Sequence, residues 1–422
     1  MMIINEKPLV SLDLLNEQHP HNYARSLTAF YQAAIDHRLP IALWRYPGSQ
    51  DKQALVDFSD LAYTDKIDFT KKLPGFAFSP FINEDGNATL FIKAGLHLNQ
   101  TGHHLYSEYS IFDNFLEQNN KIRFLESYQQ LLYGLEQPKH GWVYNDRDVA
   151  QNTVCSEVDY CRLVAEAINY TKSTNVKKIV LSRAMEAPLP LNFKPLTTFE
   201  ALCNRYPQAF ISLVSIPTIG TWIGASPETL LSMGQDSLCT VALAGTQARH
   251  PEVALTDVQW GAKEIEEQAL VSDYIRHFFQ QQHLASFSEV GPRTVSAGNV
   301  VHLQTKFEVL LDEPRLSHLA NQVLYRLHPT SAVCGTPKQE ALAFILEKEG
   351  YDRAFYSGFL GPVHLDRQSN LFVNLRCMQL KRDRALLYVG GGITKDSVPK
   401  AEWLETVLKS KTLLDVLQQY DD

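Results

Sequence analysis

Residues 388–414, YVGGGITKDSVPKAEWLETVLKSKTLL, constrain the fold more than any other stretch of the chain. An apolar strand runs into Gly390, Gly391 and Gly392, where only backbone faces whatever lies opposite. Asp396, Ser397 and Pro399 then turn the chain, and Pro399 suits the first turn of a helix, where its missing N–H costs nothing. In that helix Glu402, Glu405 and Lys409 fall at i, i+3 and i+7 and share one face, while Trp403, Leu404, Val407 and Leu408 cover the other side. Three charges in line beside a bare strand suit a metal and an anion. The alternative is a solvated face carrying an i,i+4 Glu–Lys pair, and the rest of the chain has to choose.

Composition narrows the partners. With 422 residues, 45% of them hydrophobic and 20% charged, the chain can bury a large core, in one large domain or in two or three. A net charge of −8 argues against nucleic acid or an anionic membrane, so an anionic substrate needs cations placed locally. Six cysteines without a CxxC spacing fit reduced thiols in a cytoplasm. The first residues, MMIINEKPLVSLDLL, lack the shape of a signal peptide, and no run approaches 18 apolar residues.

In the first 150 residues, 76–82 and 88–94 flank Asp85-Gly86 as a hairpin, 106–135 reads as packing helices, and 138–148 as a linker. A helical stripe over 156–172 precedes KKIVLSRAM, a strand in which Lys177 and Lys178 must point opposite ways. One of them can face a pocket; the other, or both, can reach solvent. Strands at 210–216 and 221–224 lead to GASPE, where Glu228 stands in place of the last glycine of a GxSxG elbow, which argues against a serine hydrolase. The strand TVALAGT (240–246) ends in a glycine turn. A helix over 261–279 carries Glu264 and Glu267 at i, i+3, a second acidic stripe.

VVHLQT (300–305) is a strand with one histidine, which such a position more often satisfies within the core than uses as a ligand. HPTSAVCGTP (328–337) is a loop, followed by a helix with a capping box from Thr336 to Gln339, ended by Gly350. Arg376 stands mid-strand in FVNLRCMQL, where an unpaired guanidinium is costly, so it should face a carboxylate of protein or ligand. No GxxxxGK[ST], GxGxxG, HExxH or His/Cys cluster is present. With oxygen donors alone, the two acidic faces point to a hard ion such as Mg²⁺.

Taken in order, these pieces resemble the chorismate-utilising enzymes, which include isochorismate, salicylate, anthranilate and aminodeoxychorismate synthases. The resemblance runs through KIVLSR (178–183), GASPE (224–228), ALAGT (242–246), KEIEE (263–267), VHLQT (301–305), HPTSAVCG (328–335), YSG (356–358), VNLRC (373–377) and GGGIT…EWLET…K (390–409). It implies an α+β fold, one large domain of stacked, largely antiparallel sheets surrounded by helices. Residues 1–150 would be a variable part of that fold and 151–422 the chorismate-binding catalytic core, with 138–148 an internal loop. Lys178 and HPTSAVCG resemble the water-using members, since ammonia users typically carry glutamine and HPAGTLSG there. GGGITKDSVPKAEWLET and FYSGFLGPV are similar to the isochorismate synthases of menaquinone biosynthesis.

The resemblance implies the chemistry too. Water adds at ring C2 and the C4 hydroxyl leaves, with Lys178 as base and Glu228 as acid. Glu267 and Glu405 resemble direct Mg²⁺ ligands, with Glu264 and Glu402 behind them. Ala244, Gly245, Thr246, His302, Tyr356, Arg376, Gly391, Gly392 and Lys409 would bind the substrate, and no glutaminase subunit is expected. A salicylate synthase, which goes on to eliminate pyruvate, uses the same residues; a non-catalytic chorismate-binding protein is the other alternative. Ser331, Gln268 and GGGIT depart from the commoner proline, histidine and AGAGI.

Overall fold

Nineteen strands, all paired antiparallel within two sheets, organise the computed structural model, which describes residues 23–59, 63–64, 66–83, 86–99, 102–104, 115–144, 154–282, 284, 286–312 and 314–420. The first sheet runs Gly335–Thr336, Lys178–Pro188, Arg384–Ile393, Cys377–Leu380, Gly220–Ser226, Phe210–Ile216, Ile41–Arg45, Lys52–Val56, Leu96–Asn99, Gly102–His104. The second runs Ser288–Ala297, Val300–Leu310, Ser237–Ala248, Thr229–Met233, Ser369–Val373, Phe359–Val363, Gly75–Ser79, Leu90–Lys93, Tyr63–Thr64. Each sheet therefore joins early strands to late ones.

The period of two along each strand sorts the core into layers. In Ile41–Arg45, Ala42 and Trp44 point inward with Trp222 and Tyr388 to meet Phe76, Phe78 and Phe372 of the second sheet. Phe210 stacks on Phe372 across that gap, centroids 3.9 Å apart. Ile41 and Leu43 point outward, under the helices Tyr23–Asp36, Phe115–Leu132, Pro195–Arg205 and the last turns of Pro399–Leu417. The outer face of the second sheet packs on Ala262–Gln281 and Arg315–Leu327. Glu157–Ser173 and Lys338–Lys348 close the edge beside Lys178–Pro188.

Several sequence expectations meet their outcome here. Gly75–Ser79 and Leu90–Lys93 pair as the hairpin, although Asp85 lies outside the described residues. Of 106–135, residues 106–114 lie outside them and the helix is Phe115–Leu132. Residues 145–148 of the expected linker are likewise outside; 138–144 lie on the first sheet, where Trp142 donates to Lys381 O and Val143 O accepts from Thr221. The capping box at Thr336 does not form. Thr336 is drawn into a strand pair with Lys178, so the cap falls on Pro337, which has no side-chain oxygen, and the Thr336 hydroxyl is buried without a partner. Leu404, expected on a covered face, is 54% exposed.

The run FVNLRCMQL is not one strand. Ser369–Val373 belongs to the second sheet and Cys377–Leu380 to the first, and the chain crosses between them at 374–376. Arg376 takes a left-handed φ of 49° there, which sets its side chain between the sheets. No helix among the described residues is long and apolar enough to cross a membrane.

Candidate active site

Lys177 is exposed and Lys178 is fully buried, so the alternation of KKIVLSR resolves inward at Lys178. Beside it lies the glycine strand, with Gly392 opposite Val180 and Gly391 opposite Leu181. The Lys178 ammonium stands 2.9 Å from Oε1 of Glu267, which reaches in from Ala262–Gln281. That pair passes directly over Gly392: a Cβ there would meet Lys178 Cε at 2.7 Å and collide with the Glu267 carboxylate. A Cβ on Gly391 would face Glu405 Oε1 at 3.3 Å and Glu402 Oε2 at 3.5 Å. Gly391 and Gly392 thus leave room for the protein's own charged side chains, and Gly390 for the Tyr356 hydroxyl.

A cleft of about 600 Å³, open solvent at its mouth included, lies between the sheets at this point. It is lined by Glu228, Ala244, Gly245, Thr246, Glu267, His302, Tyr356, Arg376, Gly391, Gly392 and Lys409, with apolar walls from Val180, Leu243, Val333, Leu375 and Val389. Lys178 stands just behind Gly392. Glu264, Glu402 and Glu405 line a neighbouring outer hollow, which shares Thr246 with the cleft. The sequence-predicted residues are therefore gathered, with one distinction. The Glu264 carboxylate folds back toward Gly261 at the start of its own helix, 2.6 Å from where a Cβ on that glycine would sit.

Electrostatics separate the groups. Burial pushes the Glu228 carboxyl up to about 8, against the pull of Lys178, Arg376 and Lys409, so it carries its proton at neutral pH. Burial and then Arg376 and Lys409 hold His302 down at about 3, hence neutral. Its Nδ1 donates to Gly245 O at 2.8 Å, a carbonyl turned by the bulge at Gly245, whose φ is +69°. That tautomer leaves Nε2 to accept from Arg376 Nη2 at 3.2 Å. The partner expected for Arg376 was a carboxylate; within the protein it is this histidine. Burial raises the Tyr356 phenol to about 12, so it is a donor.

The acidic face of Pro399–Leu417 is not solvated: Glu402 is 1% exposed. Its Oε1 takes an ion pair from Lys263 at 2.5 Å, while Glu405 is paired with Lys409 at 2.6 Å, and Lys409 also donates to Gly390 O. Burial, then the neighbouring Glu405, raises Glu402. For Glu405 burial is outweighed by Lys409 and Lys263, and its carboxyl is lowered. Glu402 Oε2 is buried without a hydrogen bond, although Ser397 nearby favours its charge. Among the described residues no three acidic, imidazole or thiol groups form a ready cage. Converging hard oxygens, one of them orphaned, nevertheless fit a divalent cation of the Mg²⁺ type.

Supporting residues escaped the sequence reading. Gln268, noted only as a departure, is buried and ties its helix to the second sheet through Ala242 O and Thr305. Arg353 and Glu349 form a fully buried pair; Arg353 donates to Val180 O and Val333 O, and Glu349 accepts from Ser182 N and Oγ. Lys263 could have been suspected from its i,i+4 spacing to Glu267, but its partner Glu402 comes from another helix.

The sequence profile described as chorismate binding enzyme matches residues 65–418. Isochorismate synthase EntC of Escherichia coli K12 is 28% identical over 274 residues, covering 64% of this chain and 69% of that protein. Among solved structures, MenF, the menaquinone-specific isochorismate synthase from Escherichia coli, aligns with a TM-score of 0.71 at 20% identity, over 92% of this chain and 91% of that one. Anthranilate synthase component I from Streptococcus pneumoniae aligns at 0.57 and 20% identity, over 84% and 81%. At these identities the two structures speak for the fold, which is the stacked-sheet α+β architecture that the sequence led us to expect.

Proposed function

This chain belongs to the chorismate binding enzymes, and we propose that within them it acts as an isochorismate synthase. One observation carries the reading. A buried lysine, Lys178, stands behind Gly392 at the wall of the cleft, and a carboxyl kept protonated by burial, Glu228, lines the same cleft from the link between Gly220–Ser226 and Thr229–Met233. A base on one side and an acid on the other are what the isomerisation requires. Lys178, once its ammonium has given up a proton, acts as the free amine and takes a proton from a water whose oxygen bonds to ring C2; the ring double bonds shift and the C4–O bond breaks. Glu228 delivers its proton to the departing hydroxyl, which leaves as water. One water enters and one leaves, so the product is an isomer.

Tyr356 and Arg376 are suited to the pyruvyl carboxylate, with His302 steering the guanidinium. Lys409, the Gly391–Gly392 backbone and the Ala244–Gly245–Thr246 bulge would embrace the ring carboxylate. Glu267 and Glu405 would hold Mg²⁺, with Glu402 and Glu264 further out. When bound, the ion would polarise the ring carboxylate and draw electron density through the diene. The motif likeness favours supply of menaquinone synthesis, and six free cysteines support a cytoplasmic enzyme.

Purified protein given chorismate and Mg²⁺, without ammonia, tests this by chromatography. The expected result is isochorismate in equilibrium with chorismate, and none from Lys178→Ala. Salicylate with stoichiometric pyruvate would make it a salicylate synthase. An aminated product appearing only with ammonium, or binding without turnover, would sink the proposal.

A further inference from the structure

Lys263 has no part in the chemistry above, yet it stands amid the acidic cluster. It rises from the first turn of Ala262–Gln281 and reaches across to the helix Pro399–Leu417, its ammonium 2.5 Å from Glu402 Oε1. Burial alone would lower Lys263; the charges of Glu402, Glu405 and Glu267 outweigh it. Lys263 lines the outer hollow and not the substrate cleft, so unlike Lys409 it has no route to a bound ring. Glu402 without it would be a buried carboxylate next to a second one, a costly arrangement.

Resting on the reading of Glu267 and Glu405 as ligands of a divalent cation, we propose that Lys263 is the resident counter-ion of that site. Its ammonium holds Glu402 in place while the cation is absent and competes with the cation for the cluster, so it sets how tightly the metal binds. Three carboxylates face three lysines one to one: Glu267 with Lys178, Glu402 with Lys263, Glu405 with Lys409. Within these three pairs the charges balance. A divalent ion must draw Glu267 and Glu405 from their lysines and share the charge of Glu402 with Lys263. Lys178 and Lys409 then have a substrate to turn to, whereas Lys263, its side chain 24% exposed, has only solvent.

The test is Mn²⁺ binding to the full chain without substrate, followed by calorimetry and by the electron paramagnetic resonance of free Mn²⁺. Lys263→Met should bind Mn²⁺ about tenfold more tightly than wild type, the scale of one partly buried ion pair. Lys263→Arg, which keeps the charge, should stay close to wild type. Equal or weaker binding by Lys263→Met overturns the proposal, because a merely structural lysine would not oppose the metal. Circular dichroism checks folding; should Lys263→Met not fold, Lys263→Gln is measured against the same criterion. Glu405→Gln separates the two levels of inference, since its loss should abolish Mn²⁺ binding. Wild-type-like binding by Glu405→Gln, or none by wild type, overturns the ligand reading and this proposal together. Abolished binding there, with Lys263→Met unchanged, overturns the counter-ion alone.

Discussion

Glu228 occupies a position where a charged carboxylate is opposed by burial and favoured by three cations, and burial prevails. Since its carboxyl titrates near 8, turnover should decline as pH rises through about 8 and the acid is lost. The same shift couples to stability. A folded pKa above the unfolded value of 4.5 means that the native state holds the proton more tightly. The stabilisation is full below about 4.5 and disappears as pH climbs through 8. Glu228→Gln should therefore lose turnover by about 10²–10⁴-fold while its melting temperature falls less than that of wild type between pH 5 and pH 9. A variant with wild-type pH dependence of both would mean that another group is the acid.

Between elements, the buried pair of Glu349 and Arg353 joins the end of Lys338–Lys348 to the strand that carries Lys178 and to the loop at Val333. Glu349→Gln leaves a guanidinium without its counter-charge, and urea denaturation should show about 3–5 kcal/mol lost. No local pattern announces such a pair, because its value comes from what surrounds it. Elements with a local signature were legible: the stripe over 156–172 is the helix Glu157–Ser173, capped by Ser156, and the alternation of Lys177 and Lys178 foretold that the two face opposite ways, though not which of them turns inward. The acidic faces were legible as spacing. That they are covered was not, since burial of Glu402 depends on Lys263 from a helix well over a hundred residues earlier. Arg376 was misread as mid-strand because apolar neighbours on both sides belong to two different sheets.

At the scale of the molecule, a net charge of −8 is reconciled with an anionic substrate by where its cations are kept. Lys178, Arg376 and Lys409 are gathered at the cleft, where the Glu228 carboxyl is held neutral and Glu267 and Glu405 are paired with lysines. If the cluster holds Mg²⁺ and the lysines hold it open otherwise, chelator should leave the circular dichroism unchanged. Mg²⁺ at a hundred times its dissociation constant should then add about 2.7 kcal/mol of stability, read as a rise in melting temperature. An unfolded chelated protein, or no rise, would contradict that balance. The pairing of Lys178–Pro188 with Arg384–Ile393 has a further consequence, for biosynthesis. Ile179 waits for a neighbour about 200 residues further along the chain, so during translation the strand that bears the lysine has an open hydrogen-bonding edge. A nascent chain in that condition is slow to finish and prone to illicit pairing, and it should lean on chaperones most heavily just before the glycine strand emerges.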